Sequence, residues 1–138
     1  MPAILMLTLQ RFRGGKKNED VVKFPLKGLS LEEYCAKTPG TSASTEEHSV
    51  YDLFGVINQV GSLLSGHYTA KCFNEEANCW YNFDDSRVNK IETTVKQDEN
   101  EEEFWKEIEE NIVTEKAYVL FYRKRGLQEA IEKREGYE

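Results

Sequence analysis

Two long segments rich in β-branched and aromatic residues constrain this sequence most. Residues 50–60 and 67–73 have the composition of β-strands, and a short loop with a glycine at each end, residues 61–66, separates them. This arrangement predicts a β-hairpin, in which the end of the first strand lies beside the start of the second. An antiparallel sheet built on this hairpin is therefore the expected centre of the fold.

Other segments extend the sheet and add short helices. Strand-like composition recurs in residues 4–9, 21–24, 79–83, 87–91 and 117–122. Residues 14–18, which begin with two glycines, predict a turn between the first two of these segments. Apolar side chains at helical spacing predict an amphipathic helix over residues 101–111. Short helices are also expected at residues 30–34, with Ser30 as N-cap, and at residues 127–134. The pattern as a whole predicts an α+β fold, mostly an antiparallel β-sheet with a few short helices.

Charge and cysteine content narrow the functional classes. The 138 residues carry a formal net charge of −7, which disfavours nucleic acid as a partner because phosphate binding needs clustered lysine and arginine. No apolar run approaches the length of about 20 residues that spans a bilayer. The three cysteines lack the CxxC spacing of zinc sites and are odd in number, which favours a reducing cytoplasmic or nuclear environment. No cofactor is predicted.

The chemistry-bearing residues cluster around the second half of the hairpin. His67 stands where the glycine-bounded loop enters a strand, and Asp84 and Asp85 follow the next strand. A hairpin between these two strands would place the start of one opposite the end of the other. A carboxylate there can orient an imidazole and favour its protonated form, as in half of a catalytic triad. Spacing alone favours a purely structural pair over a catalytic one, because satisfied histidines and turn aspartates are common.

The same residues resemble a known family. Residues 66–70, Gly-His-Tyr-Thr-Ala, followed by residues 80–88, Trp-Tyr-Asn-Phe-Asp-Asp-Ser-Arg-Val, resemble the histidine box of ubiquitin-specific proteases. Four segments agree in the family's order: 7–12 (LTLQRF), 22–25 (VKFP), 51–56 (YDLFGV) and 117–122 (AYVLFY). The resemblance covers residues 4–123. Two smaller departures are Gln59, where many members have histidine, and Ser65, where glycine is usual.

The resemblance implies a function and a division of roles. Residues 1–125 would be the C-terminal, palm-like part of a papain-like catalytic domain, and residues 126–138 a helical or disordered extension. The parent would be a thiol-dependent deubiquitinase that hydrolyses the bond after the C-terminal glycine of ubiquitin. His67 would be its general base and acid, Asp84 the orienting partner and Asp85 a supporting residue. Gly66 and Tyr68 would bind the ubiquitin tail, and no metal would take part.

The nucleophile is the missing element of this interpretation. The family's cysteine box and its zinc-binding CxxC pairs have no counterpart among the three cysteines, Cys35, Cys72 and Cys79, which are interpreted as packing residues. The chain alone is therefore expected to be inactive, with ubiquitin and the missing N-terminal half of the domain as its partners. A non-catalytic ubiquitin-binding module or pseudoenzyme is the alternative. A metal-dependent hydrolase using His48, His67 and the aspartates is disfavoured because no HxH or HxxxH pair exists.

Overall fold

A computed structural model describes residues 1–34 and 50–127. Its nine strands, among those residues, are β1 (Ile4–Thr8), β2 (Phe12–Arg13), β3 (Lys16–Lys17), β4 (Leu29–Ser30), β5 (Val50–Gly61), β6 (Gly66–Asn74), β7 (Cys79–Asp84), β8 (Arg87–Lys90) and β9 (Ala117–Lys124). A 3-10 turn (Glu32–Tyr34) follows β4, and helix α1 (Glu101–Ile112) precedes β9. The main sheet has the antiparallel order β1-β9-β5-β6-β7-β8, with β4 also paired to β5. The predicted fold class is confirmed.

Strand β5 lies at the centre of this sheet and changes its buried face along its length. Tyr51 and Leu53 are buried in its first half, whereas Val56 and Asn58 are buried in its second half. A register shift against β9 between Leu53 and Gly55 explains the change, because one extra residue reverses which side chains face each side. Without this bulge, one half of the strand would turn its apolar residues outward.

Helix α1 covers one face of the sheet. Asn100 caps it by accepting a hydrogen bond from the Glu103 backbone N–H at 3.2 Å, and the acidic residues of the first turn complement the positive end of the helix dipole. Ile108 and Ile112 are its fully buried residues and join the core. The sheet residues of that core include Val56, Trp80 and Leu120. The predicted amphipathic helix is therefore present.

Two predicted elements differ in the structure. Residues 21–24 form no strand; they run outside the sheet, with Phe24 buried as an anchor and the Leu53 N–H donating to the Leu26 carbonyl at 2.8 Å. Residues 14–18, predicted as a turn, contribute β3 to a separate β2–β3 hairpin that turns at Gly14 and Gly15, with φ of 57° and 75°. The strand prediction failed because β-propensity does not supply a pairing partner.

Some predictions fall on residues that the structure does not describe. Cys35 and His48 lie outside the described residues, and so does the predicted terminal helix beyond Leu127. In residues 1–34 and 50–127, no helix has both the length and the apolar character needed to cross a bilayer.

Candidate active site

The register of β6 and β7 brings His67 and Asp84 to the same face of the sheet. Ala70 pairs with Phe83, so one further step along the ladder sets Asp84 opposite Thr69, diagonal to His67. Side chains of residues 67 and 69 share a face because strand residues alternate. The result is a direct contact, with His67 Nε2 at 2.6 Å from Asp84 Oδ1. The hairpin argument from the sequence anticipated this proximity.

The carboxylate favours the charged form of the imidazole. The hydrogen bond that His67 donates to Asp84 raises the pKa of His67 above its ordinary value, desolvation opposes this, and the charges of Asp84 and Asp85 add to the rise. When His67 is neutral, the Nε2–H group donates to Asp84, so Nδ1 is the nitrogen that can accept a proton. Both side chains remain accessible, with 49% of His67 and 41% of Asp84 exposed. The pair therefore provides an exposed imidazole base whose orientation is set by a carboxylate.

Asp85 occupies the turn that follows β7. Its φ of 51° lies in the left-handed region, which aspartate tolerates better than most residues. Among the described residues, one group of three potential metal ligands occurs, and it consists of His67, Asp84 and Asp85, with ligand atoms within 4.8 Å of one another. Two ligands of a tetrahedral zinc lie about 3.4 Å apart, so an ion would have to replace the 2.6 Å hydrogen bond. The geometry suits a hydrogen-bonded pair better than a metal centre.

The loop before His67 is short and internally bonded. Gly61 has φ of 90°, and the Ser62 N–H donates to the Ser65 carbonyl at 3.1 Å. The Ser65 N–H donates to Ser62 Oγ at 3.0 Å. Leu63 and Leu64 at the tip are 62% and 98% exposed. The loop therefore presents two apolar side chains to the outside, while hydrogen bonds between Ser62 and Ser65 close its base.

The two residues expected to bind a substrate tail lie in different settings. Gly66 has no room for a side chain, because a Cβ there would come within 2.5 Å of the Gln59 amide nitrogen. Tyr68 is 51% exposed, and strand alternation directs it to the face opposite His67, where its ring centroid is 6.4 Å from that of Tyr118. The structure thus groups His67 with Asp84 and Asp85, and separates the Tyr68 side chain from them.

Neither described cysteine reaches His67. Cys72 is five residues further along β6, about 17 Å away and on the opposite face by strand alternation. Burial raises the pKa of the Cys72 thiol, which disfavours the reactive thiolate. Cys79 stands at the far end of β7 from Asp84 and also on the opposite face. Both are free thiols, consistent with the interpretation that they are packing residues.

A cluster of buried polar residues beside the loop was not predicted from the sequence. Gln59 and Arg11 are 1% and 3% exposed. Arg11 Nε donates to the Ala117 carbonyl at 2.9 Å, and Lys17 Nζ donates to the Gln59 carbonyl at 2.9 Å. These bonds attach the β2–β3 hairpin to the end of the sheet that carries His67. A glutamine inside an apolar strand is the one signal of this cluster in the sequence, where Gln59 departs from the family pattern.

Comparison with known proteins agrees with this geometry. The sequence profile of the ubiquitin carboxyl-terminal hydrolase family matches residues 1–122. The chain is 32% identical to human ubiquitin carboxyl-terminal hydrolase 31 and 35% identical to ubiquitin carboxyl-terminal hydrolase 4 of Pongo abelii, with 91% of the chain aligned in each case. It spans only 10% and 11% of the length of these relatives.

A solved structure, the SAGA Ubp8/Sgf11/Sus1/Sgf73 DUB module bound to ubiquitin aldehyde, matches with a TM-score of 0.64 at 27% identity. The match covers 91% of this chain and 25% of the matched chain. The family profile extends over most of the sequence, and the curated relatives and the solved fold agree with it. The chain therefore belongs to the ubiquitin carboxyl-terminal hydrolase family, within which it is a ubiquitin-specific protease segment.

Proposed function

We propose that this chain is the C-terminal, base-bearing part of a thiol-dependent deubiquitinase that hydrolyses the bond after the C-terminal glycine of ubiquitin. The observation that carries the proposal is the 2.6 Å contact between His67 Nε2 and Asp84 Oδ1 in a member of this family. Residues 1–125 are proposed to belong to the catalytic domain and residues 126–138 to an extension. The cytoplasm or nucleus is the proposed location, since Cys72 and Cys79 are free thiols.

In this proposal His67 acts through its second ring nitrogen. Asp84 holds the Nε2–H group, which leaves Nδ1 to take the proton of a cysteine thiol supplied by another part of the domain. The resulting imidazolium stabilises the thiolate and later protonates the leaving amine, while a thioester joins the cysteine to the ubiquitin terminus. Water then hydrolyses the thioester with His67 as base. Asp84 serves throughout as the orienting group.

The proposed substrate is the extended tail of ubiquitin. Gly66 gives a narrow approach to the backbone, and half-exposed Tyr68 offers an aromatic contact on the face of the sheet opposite His67. Two structures of the related Ubp8 module, with ubiquitin aldehyde and with monoubiquitin, support ubiquitin as the ligand class. Asp85 is proposed to assist next to the pair, within 4.8 Å of both partners.

The other proposed partner is the remainder of the catalytic domain. Large apolar side chains are exposed on edge strand β1, including Ile4 at 45% and Met6 at 61%, and in the loop at Leu64. Exposed apolar clusters are unusual on monomers and mark surfaces that pack against something else. A segment that spans about a tenth of its relatives would leave such surfaces for the rest of the domain to cover.

The test is a fluorogenic ubiquitin substrate, applied to the parent protein and to this chain. The parent should turn over the substrate, and His67→Ala should abolish turnover, whereas Cys72→Ser and Cys79→Ser should leave it unchanged. The isolated chain should show no turnover. Activity that survives His67→Ala, or that disappears with Cys72→Ser or Cys79→Ser, would contradict the proposed roles.

A second candidate function is ubiquitin binding without catalysis. It is favoured by one observation, that neither described cysteine lies near His67. NMR titration of the labelled chain with ubiquitin separates the two. Weak binding, with Kd in the high micromolar range or above (~ −5 kcal/mol or less favourable), centred on residues 61–69 fits half of a substrate channel. Tight binding centred on α1 with the loop unaffected would instead indicate a helix-based ubiquitin receptor.

A further inference from the structure

Gln59 is a polar residue at the point where β5 passes from the core to the exposed loop. It is 1% exposed, whereas the next residue, Val60, is 43% exposed. Its backbone is bonded on both sides: the N–H donates to the Lys116 carbonyl at 2.9 Å, and the carbonyl accepts from Lys17 Nζ at 2.9 Å. The base of the side chain is therefore fixed by three parts of the fold, namely β5, the start of β9 and the β2–β3 hairpin.

The side-chain amide of Gln59 points into the loop. Nε2 donates to the Ser62 carbonyl at 3.0 Å and to the Val60 carbonyl at 3.3 Å. Two carbonyl oxygens face one nitrogen, so the amide orientation is determined, since the reverse orientation would set three oxygens against each other. Oε1 is buried and has no hydrogen-bond partner within the described residues. Leaving that oxygen unpaired costs stability, so the bonds to the loop must offset a penalty.

The amide of Gln59 also occupies the space that a side chain at position 66 would need. A Cβ on Gly66 would lie 2.5 Å from Gln59 Nε2, 2.7 Å from the Val60 carbonyl and 2.8 Å from the Ser62 carbonyl. The glycine and the amide are therefore matched in shape. Because Gly66 directly precedes His67, this contact restrains the backbone from which the imidazole projects.

We propose that Gln59 is a positioning residue for the candidate active site: its amide holds loop 61–66 against the sheet and so fixes the approach of Gly66 and His67. The residue cannot touch the reacting atoms, because it lies on the face opposite His67, paired with Tyr68 across the hairpin. The consequence for turnover rests on the proposed function. The structural claim, that one buried amide holds the loop, does not depend on the proposed function.

Amide hydrogen exchange of the full 138-residue chain tests the structural part. Gln59→Leu removes the donor at similar volume, and Gln59→His, the matched control, retains a ring N–H donor. In Gln59→Leu the Ser62 and Ser65 amides should exchange about tenfold faster or more, while α1 amides are unchanged. Gln59→His should restore slow exchange. Unchanged loop exchange in Gln59→Leu would overturn the proposal.

A second variant covers the case in which Gln59→Leu unfolds the chain, which faster exchange in α1 would reveal. Gly66→Ala keeps the amide but forces a Cβ against it, so it should accelerate loop exchange with α1 still protected. If the loop amides of Gly66→Ala exchange as slowly as those of the natural sequence, the proposal is overturned.

Kinetics of the parent protease test the functional part. Gln59→Leu should lower kcat/KM for a ubiquitin substrate about tenfold at equal concentrations of folded enzyme, with rescue by Gln59→His. Unchanged kcat/KM in Gln59→Leu, or a loss that Gln59→His does not rescue, would overturn a positioning role. If the parent of natural sequence has no activity, the proposed function fails while the exchange result stands independently.

Discussion

The two ends of β5 are built in opposite ways. At the first end Tyr51 is fully buried and its hydroxyl donates to the Pro2 carbonyl at 2.7 Å, and Asp52 makes a two-point ion pair with Arg125 at 2.6 and 3.0 Å. At the last end the strand opens into a loop whose Leu64 is 98% exposed. One end therefore anchors the fold, and the other presents an oriented base at an accessible edge. Stability and function occupy separate ends of one strand, as is common when loops on a rigid sheet carry the chemistry.

Neutralising one aspartate at each end gives the most direct test of this difference between the two ends. Asp84→Asn should reduce kcat of the parent by about 10²- to 10⁴-fold, because the imidazole loses its orienting carboxylate. The melting temperature of the chain, measured above the raised pKa of His67, should stay nearly unchanged. Asp52→Asn is the matched control and should leave kcat unchanged. The prediction fails if the two substitutions affect kcat equally.

Core truncation should affect stability alone. Leu120 is 2% exposed and packs in the same cluster as Val56 and Trp80, so Leu120→Ala should lower the free energy of unfolding by about 2–5 kcal/mol. Leu64→Ala, at the exposed loop, should change it by less than about 0.5 kcal/mol. Urea denaturation of both variants measures this. Similar losses in the two would mean that the loop is part of the core.

The anchoring ion pair should contribute modestly. Side chains of Asp52 and Arg125 are 37% and 51% exposed, so solvent screening limits the pair, and Asp52→Ala should cost about 1 kcal/mol. Lys96→Ala provides the control, because its pair with Glu99 is longer, at 3.9 Å, and more exposed. Urea denaturation in low and high salt should show the Asp52 effect shrinking as salt rises. Equal changes in the free energy of unfolding for Asp52→Ala and Lys96→Ala would contradict an anchoring role for the Asp52–Arg125 pair.

The two ends should also respond oppositely to pH. Burial raises the pKa of Asp52, but the hydrogen bonds from Arg125 and the Gly28 N–H outweigh it and lower the pKa below 3.8, so its contribution is lost only as pH falls through that lowered value. The pKa of His67 is raised, so its contribution is complete below 6.5 and is lost as pH rises through the raised value. Urea midpoints of unfolding, measured across pH, test this. Asp52→Asn should differ from the natural sequence above the lowered pKa of Asp52. Asp84→Asn should differ from it below the raised pKa of His67. Parallel curves would contradict this assignment.

Much of the fold was predictable because its strands carry strong local signals. The hairpin of β5 and β6, helix α1 and the proximity of His67 and Asp84 all follow from periodicity, turn residues and antiparallel register. What the sequence could not show are features that depend on neighbours far along the chain. Three features are of this kind: the lack of a strand partner for residues 21–24 among the described residues, the bulge at Phe54, and the bond of Arg11 to Ala117.

The candidate site was predictable only where local sequence signals determine it. His67 and Asp84 belong to adjacent strands joined by a short turn, so local register suffices to bring them together. Gln59 acts through carbonyl oxygens of a loop whose backbone path is set by tertiary packing, and no side-chain pattern encodes that path. The face of Tyr68 likewise follows from where β6 begins, which a family motif does not specify.

The pKa of His67 is the most direct measure of whether the end of the hairpin holds an oriented base. NMR titration of the imidazole in the natural sequence and in Asp84→Asn provides it, and a His48→Gln variant assigns the two histidine signals. We expect a pKa above 6.5 in the natural sequence and a clear fall toward or below that value in Asp84→Asn. A pKa at or below 6.5 in the natural sequence, or one that Asp84→Asn leaves unchanged, would contradict a His67–Asp84 pair.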